Sequence, residues 1–240
     1  AEAGAAGVLG CVAGGIGTNT CTVRTTSDTD CQKRIVNCYV APPSLTATGK
    51  TSQIDLSWGI SANATSYTLK RGTSATSQGT TLVTQSGLAH TDSVANGTRY
   101  YYHVFATRSG TNSGPSTVRS AIGVAVPTLN SATASGTQIK LVWSTAAGAT
   151  AYTVKRATAP GGPYTNVTTS ATGTTYTNTG LTPGTRYYYV IKGTNSIGPS
   201  ASDDSNELSA QIMSAPTNLT AVAGTVKVTL NWTGVAGAVA

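Results

Sequence analysis

One pentapeptide pattern occurs three times in this chain, and it limits the possible folds more than any other feature. Ile54-Asp55-Leu56-Ser57-Trp58 returns as Ile139-Lys140-Leu141-Val142-Trp143 and again as Val228-Thr229-Leu230-Asn231-Trp232. Apolar and polar residues alternate, which places the Ile or Val, the Leu and the Trp on one face of a strand. A proline (Pro43, Pro127, Pro216) stands 15 or 16 residues before each Trp. Other segments recur only twice. Tyr67-Thr68-Leu69-Lys70-Arg71 matches Tyr152-Thr153-Val154-Lys155-Arg156, and Asn96-Gly97-Thr98-Arg99-Tyr100-Tyr101-Tyr102 matches Pro183-Gly184-Thr185-Arg186-Tyr187-Tyr188-Tyr189. Gly114-Pro115-Ser116 matches Gly198-Pro199-Ser200, and the period is 84 to 89 residues.

The local patterns in the first repeat predict strands near 43–48, 53–58, 66–71, 80–84, 88–92, 99–107 and 117–124. Seven short strands punctuated by turn residues point to a two-sheet sandwich, so the fold class is all-β. A chain rich in Thr, Val and Tyr suits strands, because β-branched and aromatic side chains fit a pleated, half-buried surface. Within each Tyr-Tyr-Tyr run the outer two residues share a face. Tyr100, Tyr102, Tyr187 and Tyr189 are therefore expected in the core with Trp58, Trp143 and Trp232, and Tyr101 and Tyr188 are expected to be more exposed.

Leu181-Thr182-Pro183-Gly184-Thr185-Arg186-Tyr187 resembles the turn into strand F of fibronectin type III domains, of the kind found in bacterial secreted and surface proteins. The resemblance covers 41 to about 213 in full and 214–240 in part. It implies tandem immunoglobulin-like sandwiches at 41–126 and 127–213, with strands A and B of a third at 214–240. It also implies a tyrosine corner at Tyr187, whose phenol bonds back to upstream backbone. The first repeat departs from the motif with Val94-Ala95-Asn96-Gly97-Thr98 but keeps Tyr100. Short junctions at Val124–Pro127 and Met213–Pro216 lead to the expectation of a semi-rigid rod.

Residues 1–40 do not share the repeat. They are Ala/Gly-rich at the start and hold all four cysteines, Cys11, Cys21, Cys31 and Cys38. An even, tightly clustered set in a chain with 10% charged residues suggests export and two disulfides. Cys11–Cys21 with Cys31–Cys38, and Cys21–Cys31 nested within Cys11–Cys38, both fit a small stapled β element. The spacings of 9, 9 and 6 residues are not those of zinc or covalent haem sites. Ala1-Glu2-Ala3 lacks a basic n-region and reads as the mature end left after signal-peptide removal. Small residues such as those of Ala3-Gly4-Ala5-Ala6-Gly7 would let another backbone approach closely, as subunits in a fibre do.

No catalytic, cofactor or metal site is expected. A Ser-His-Asp site needs a histidine within reach of both partners, and no nucleophile motif accompanies the two present, His90 and His103. The second repeat has Tyr176 and Val190 at those places, so both histidines read as surface or edge residues. Asp203-Asp204-Ser205-Asn206-Glu207 lacks the spacing and glycine of a calcium loop and reads as a solvated turn. The net charge is +7, but its fifteen Lys and Arg are scattered rather than gathered on one face among aromatics. That pattern excludes a nucleic-acid footprint and leaves some attraction to anionic polysaccharide. No stretch approaches the roughly 20 apolar residues of a membrane span.

These readings converge on a non-catalytic structural or adhesive protein at the cell surface or outside it, as a rod or filament subunit. Its expected partners are copies of itself or other surface proteins. The alternative is a set of spacer modules of a secreted polysaccharide-acting enzyme. A third sandwich needs about seven strands, and strands C to G of the second repeat take about 60 residues. The chain is thus expected to continue past Ala240; otherwise another chain covers Val228, Leu230 and Trp232, the candidate assembly surface.

Overall fold

The computed structural model describes Pro42 and residues 44–62, 64–108 and 111–235, and every regular element among them is a β-strand. The first repeat supplies β1 (Thr46–Lys50), β2 (Gln53–Ser57), β3 (Ser66–Gly72), β4 (Thr80–Gln85), β5 (Ala89–Ser93), β6 (Arg99–Arg108), β7 (Thr111–Asn112) and β8 (Arg119–Ile122). The second supplies β9 (Leu129–Ser135), β10 (Gln138–Trp143), β11 (Ala151–Ala157), β12 (Thr165–Ala171), β13 (Thr175–Asn178), β14 (Arg186–Asn195), β15 (Ser200–Asp204) and β16 (Leu208–Gln211). The third supplies the pair β17 (Thr217–Ala223) and β18 (Val228–Thr233). The sheets run β1-β2-β5 and β4-β3-β6, with β7 and β8 on β6; the second repeat copies this as β9-β10-β13 and β12-β11-β14, with β15 and β16 on β14. The strand order of the two sheets in each repeat is that of an immunoglobulin-like sandwich. The first strand starts at Thr46, later than its proline suggests, after Ser44 with φ 59°.

The chain forms two compact units that do not follow the repeat boundary. One holds the described residues up to Thr46 with Leu56–His90 and Tyr100–Arg119; the other holds Ala47–Asp55, Thr91–Arg99 and the described residues from Ser120 on. In the first unit Leu45, Leu56, Trp58, Leu69, Tyr102 and Val104 are buried. Trp58 tilts against Tyr67 at 6.1 Å, and the Tyr67 hydroxyl accepts from Ser61 N at 2.9 Å. That single residue fills the core and closes the loop between β2 and β3.

Two expectations about this unit need correction. His103 is buried at 8% exposure, and neither ring nitrogen has a hydrogen-bond partner among the described residues. It sits mid-strand in β6, opposite Lys70 of β3, so side chains of flanking strands close over it although it points away from the core. Tyr100 is half-buried rather than core. It opens β6, and the Arg71 guanidinium lies over its ring at 4.9 Å. Arg156 stacks on Tyr187 in the same way at 5.0 Å, so the arginine of each repeat's Lys-Arg pair covers a tyrosine face.

In the second unit Leu129, Ile139, Leu141 and Trp143 of one sheet pack against Tyr152, Val154, Tyr187, Tyr189 and Ile191 of the other. Trp143 meets Tyr152 edge-on at 5.5 Å, and the Tyr152 hydroxyl accepts from Ala146 N at 3.0 Å, repeating the device seen at Tyr67. The Tyr187 hydroxyl accepts from Thr182 N at 3.1 Å, and hydrogen bonding to the Thr182 side chain, with this backbone bond, holds its ionisation below the ordinary tyrosine range. The first repeat secures the corresponding turn differently. Its Asn96 Oδ1 accepts from Ser52 N at 2.8 Å, and Asn96 Nδ2 donates to Ser52 Oγ at 3.0 Å. The acidic run is a latch rather than a solvated turn. Asp204 pairs with Lys155 at 2.8 Å, Glu207 accepts from Tyr164 Oη and Gly161 N, and Asn206 bonds both backbone groups of Leu129.

Tyr189 is fully buried, and its hydroxyl has no hydrogen-bond partner among the described residues. Burial pushes its pKa up to about 12, the nearby Arg156 charge opposing only part of that rise. Below pH 10 both folded and unfolded chains hold this proton, so stability is complete there. Between pH 10 and about 12 the unfolded chain releases it first, and stability falls. Tyr189→Phe should therefore gain about 1 kcal/mol at pH 7 by deleting an unsatisfied hydroxyl. Its urea midpoint should also decline less than the parent's from pH 10 to 12; equal declines would contradict the assignment. Tyr164, also raised to about 12 by burial and Glu207, is common to both proteins and cancels.

Candidate assembly surface

β17 and β18 pair antiparallel through a turn closed by Gly224 N donating to Lys227 O at 2.6 Å. Ala221 lies opposite Leu230 and Ala223 opposite Val228. The hairpin β9–β10 has the same register, with Ala132 opposite Leu141 and Ala134 opposite Ile139. Small residues on one strand thus face large ones on the other, and the strand period brings Trp232 onto the side of Val228 and Leu230. In β10 the matching Ile139, Leu141 and Trp143 are at most 2% exposed, beneath the tyrosines and isoleucine of β11 and β14. Val228, Leu230 and Trp232 are 64%, 54% and 57% exposed, and Leu219 on β17 is 69% exposed. The small-against-large pattern and its pairing are shared by the two hairpins; the difference among the described residues is the opposing sheet.

Lys227, in the turn, is the single charged residue between 217 and 235. Natural sheets guard exposed strands with charges, prolines or covering segments. Charge and proline are absent from β17 and β18, and the apolar face stands among Thr and Asn side chains that repel nothing.

The other residues singled out from the sequence are dispersed. Trp58, Trp143 and Tyr187 are buried at 5%, 2% and 6%, in the sandwich cores. Cys11, Cys21, Cys31 and Cys38 lie outside the described residues, as do both pairings considered for them. His90, on β5, is half-buried. Among the described residues no three His, Cys, Asp or Glu side chains gather closely enough to hold a metal, and no helix is long and apolar enough to cross a membrane. Sequence reading overlooked Leu219, Ala221 and Ala223, although the Ala-x-Ala spacing of 132–134 recurs there.

No family model matches the chain, and no curated protein matches it. Similar solved structures include the chicken CNTN1 FN1-FN3 domains, 18% identical over 73% of this chain and 68% of that one, with a TM-score of 0.45. An Fn3-like protein from Clostridium thermocellum is 38% identical over 39% of this chain and 95% of its own, with a TM-score of 0.33.

Proposed function

We propose that this chain is a non-catalytic structural or adhesive protein outside the cell, a surface rod or filament subunit, and that the face of Val228, Leu230 and Trp232, where no further strands of its own chain cover it, joins it to a second copy. The supporting observation is the open face itself: the same face in β10 is covered, and here it stands exposed and uncharged. Two such faces laid together would form an apolar layer between sheets, the arrangement that closes each complete sandwich. Removing these side chains from water would contribute about 25 cal/mol for each Å² of apolar surface covered.

Sedimentation velocity over a range of concentrations tests the reading, with the emission of Trp232 in a Trp58→Phe/Trp143→Phe background as a second signal. The parent should associate as concentration rises, the emission should shift to the blue, and Leu230→Lys/Trp232→Lys should abolish association. A single monomeric species at every concentration would overturn the proposal. So would association that the lysine variant leaves unchanged.

A further inference from the structure

Ala47–Asp55, Thr91–Arg99 and the residues from Ser120 to the end of the first repeat share a compact unit with the whole of the second, and hydrogen bonds rather than a free linker join them. Gly49 N, on β1, donates to Gly198 O beside β15 at 3.4 Å. Ile122 N, at the end of β8, donates to the Ser200 Oγ at 3.3 Å, and Asp203 N donates to Thr51 Oγ1 at 2.9 Å. Ala125 N donates to Ala147 O at 2.9 Å, so the connecting residues are themselves bonded. Ala47, Ala121, Ile122, Val124 and Ser200 are all buried along this line.

The seam is closed too tightly for side chains at its glycines. A Cβ on Gly49 would run into the Ile122 carbonyl oxygen and the Ser200 hydroxyl. One on Gly198, which has φ 58°, would meet the carbonyls of Ser120 and Ala47. Gly148 rests on the bond between Gly97 N and Gly123 O, and a Cβ there would strike that carbonyl. In each case the obstacle is backbone, which cannot swing aside as a side-chain tip can. Domains joined by ordinary linkers are expected to move independently. Four bonded contacts and a buried apolar line replace that freedom here.

We infer that this glycine-lined seam makes the 47–55, 91–99 and 120–124 segments of the first repeat unfold together with the second repeat, as one cooperative unit. The seam thereby transmits a load, or a destabilising change, from one repeat to the next. Pulse-labelling hydrogen exchange of the full chain in increasing urea, read by mass spectrometry, separates the two sides. Peptides from 91–99 and 120–124 should lose protection at the same urea midpoint as peptides from 187–191. Gly136→Ala strains a turn (φ 56°) that has no neighbour within 4 Å, and it should lower both midpoints together. Gly49→Ala should separate them by about 0.5–1 M urea. If that variant does not fold, Thr51→Ala/Ser200→Ala, which removes two seam hydrogen bonds without adding bulk, takes its place. Separate midpoints in the parent would overturn the inference, as would coincident midpoints in the seam variant that folds.

Discussion

Trp143→Ala should cost about 3–5 kcal/mol, and Trp232→Ala should leave the stability of the dilute chain within about 0.5 kcal/mol. The two tryptophans occupy the same place in the same hairpin register. Trp143 is 2% exposed, edge-on to Tyr152 and enclosed by Leu129, Ile139 and Leu141. Its removal forfeits transfer from water and leaves a cavity that close-packed neighbours fill only in part. Against a typical domain stability of about 5–15 kcal/mol this is a large fraction. Trp232 is 57% exposed and has no opposing sheet among the described residues. Urea unfolding followed by circular dichroism at low protein concentration measures both, with Trp143→Phe as an intermediate case should the alanine variant fail to fold. Equal losses at the two sites would mean that the face of β18 is covered in the isolated chain.

A second sizeable effect is expected at a residue in the acidic run. Asn206 Oδ1 accepts from Leu129 N at 2.9 Å, and Asn206 Nδ2 donates to Leu129 O at 3.0 Å. Leu129 is 2% exposed at the start of β9, so loss of the amide leaves a backbone donor and acceptor without a replacement. An unsatisfied buried group costs about 1–3 kcal/mol, and Asn206→Ala should lose roughly that amount. Asn130→Ala, one position along β9 and exposed, should stay within about 0.5 kcal/mol. A loss at 130 as large as that at 206 would show that general strand propensity, rather than the latch, is responsible.

Much of the fold was legible because strands announce themselves in a period of two. The segments expected at 53–58, 66–71 and 99–107 correspond to Gln53–Ser57, Ser66–Gly72 and Arg99–Arg108. The burial of Ile54, Leu56 and Trp58 follows from the same alternation. Where alternation stops deciding, reading from the chain stops too. His103 and Val190 hold equivalent outward positions and both are buried, because a central strand is flanked on two sides and outward does not mean exposed. Asp203-Asp204-Ser205-Asn206-Glu207 reads as a solvated turn on polarity alone. Its partners Lys155, Leu129 and Tyr164 come from strands or turns about 40 to 80 residues away, and no local pattern points to them.

The amino-acid sequence by itself determined the all-β class, the repeating frame and the faces that carry Trp, Leu and Ile, since each follows from side-chain period and turn chemistry within a few residues. Tertiary structure alone decided which of three equivalent faces is covered. It also decided which glycines are wedged against backbone, and where one compact unit ends and the next begins. Gly49 and Gly136 are indistinguishable as letters. One lies against the Ile122 carbonyl and the other has open space around it, because close approach depends on segments that meet only when the chain has folded.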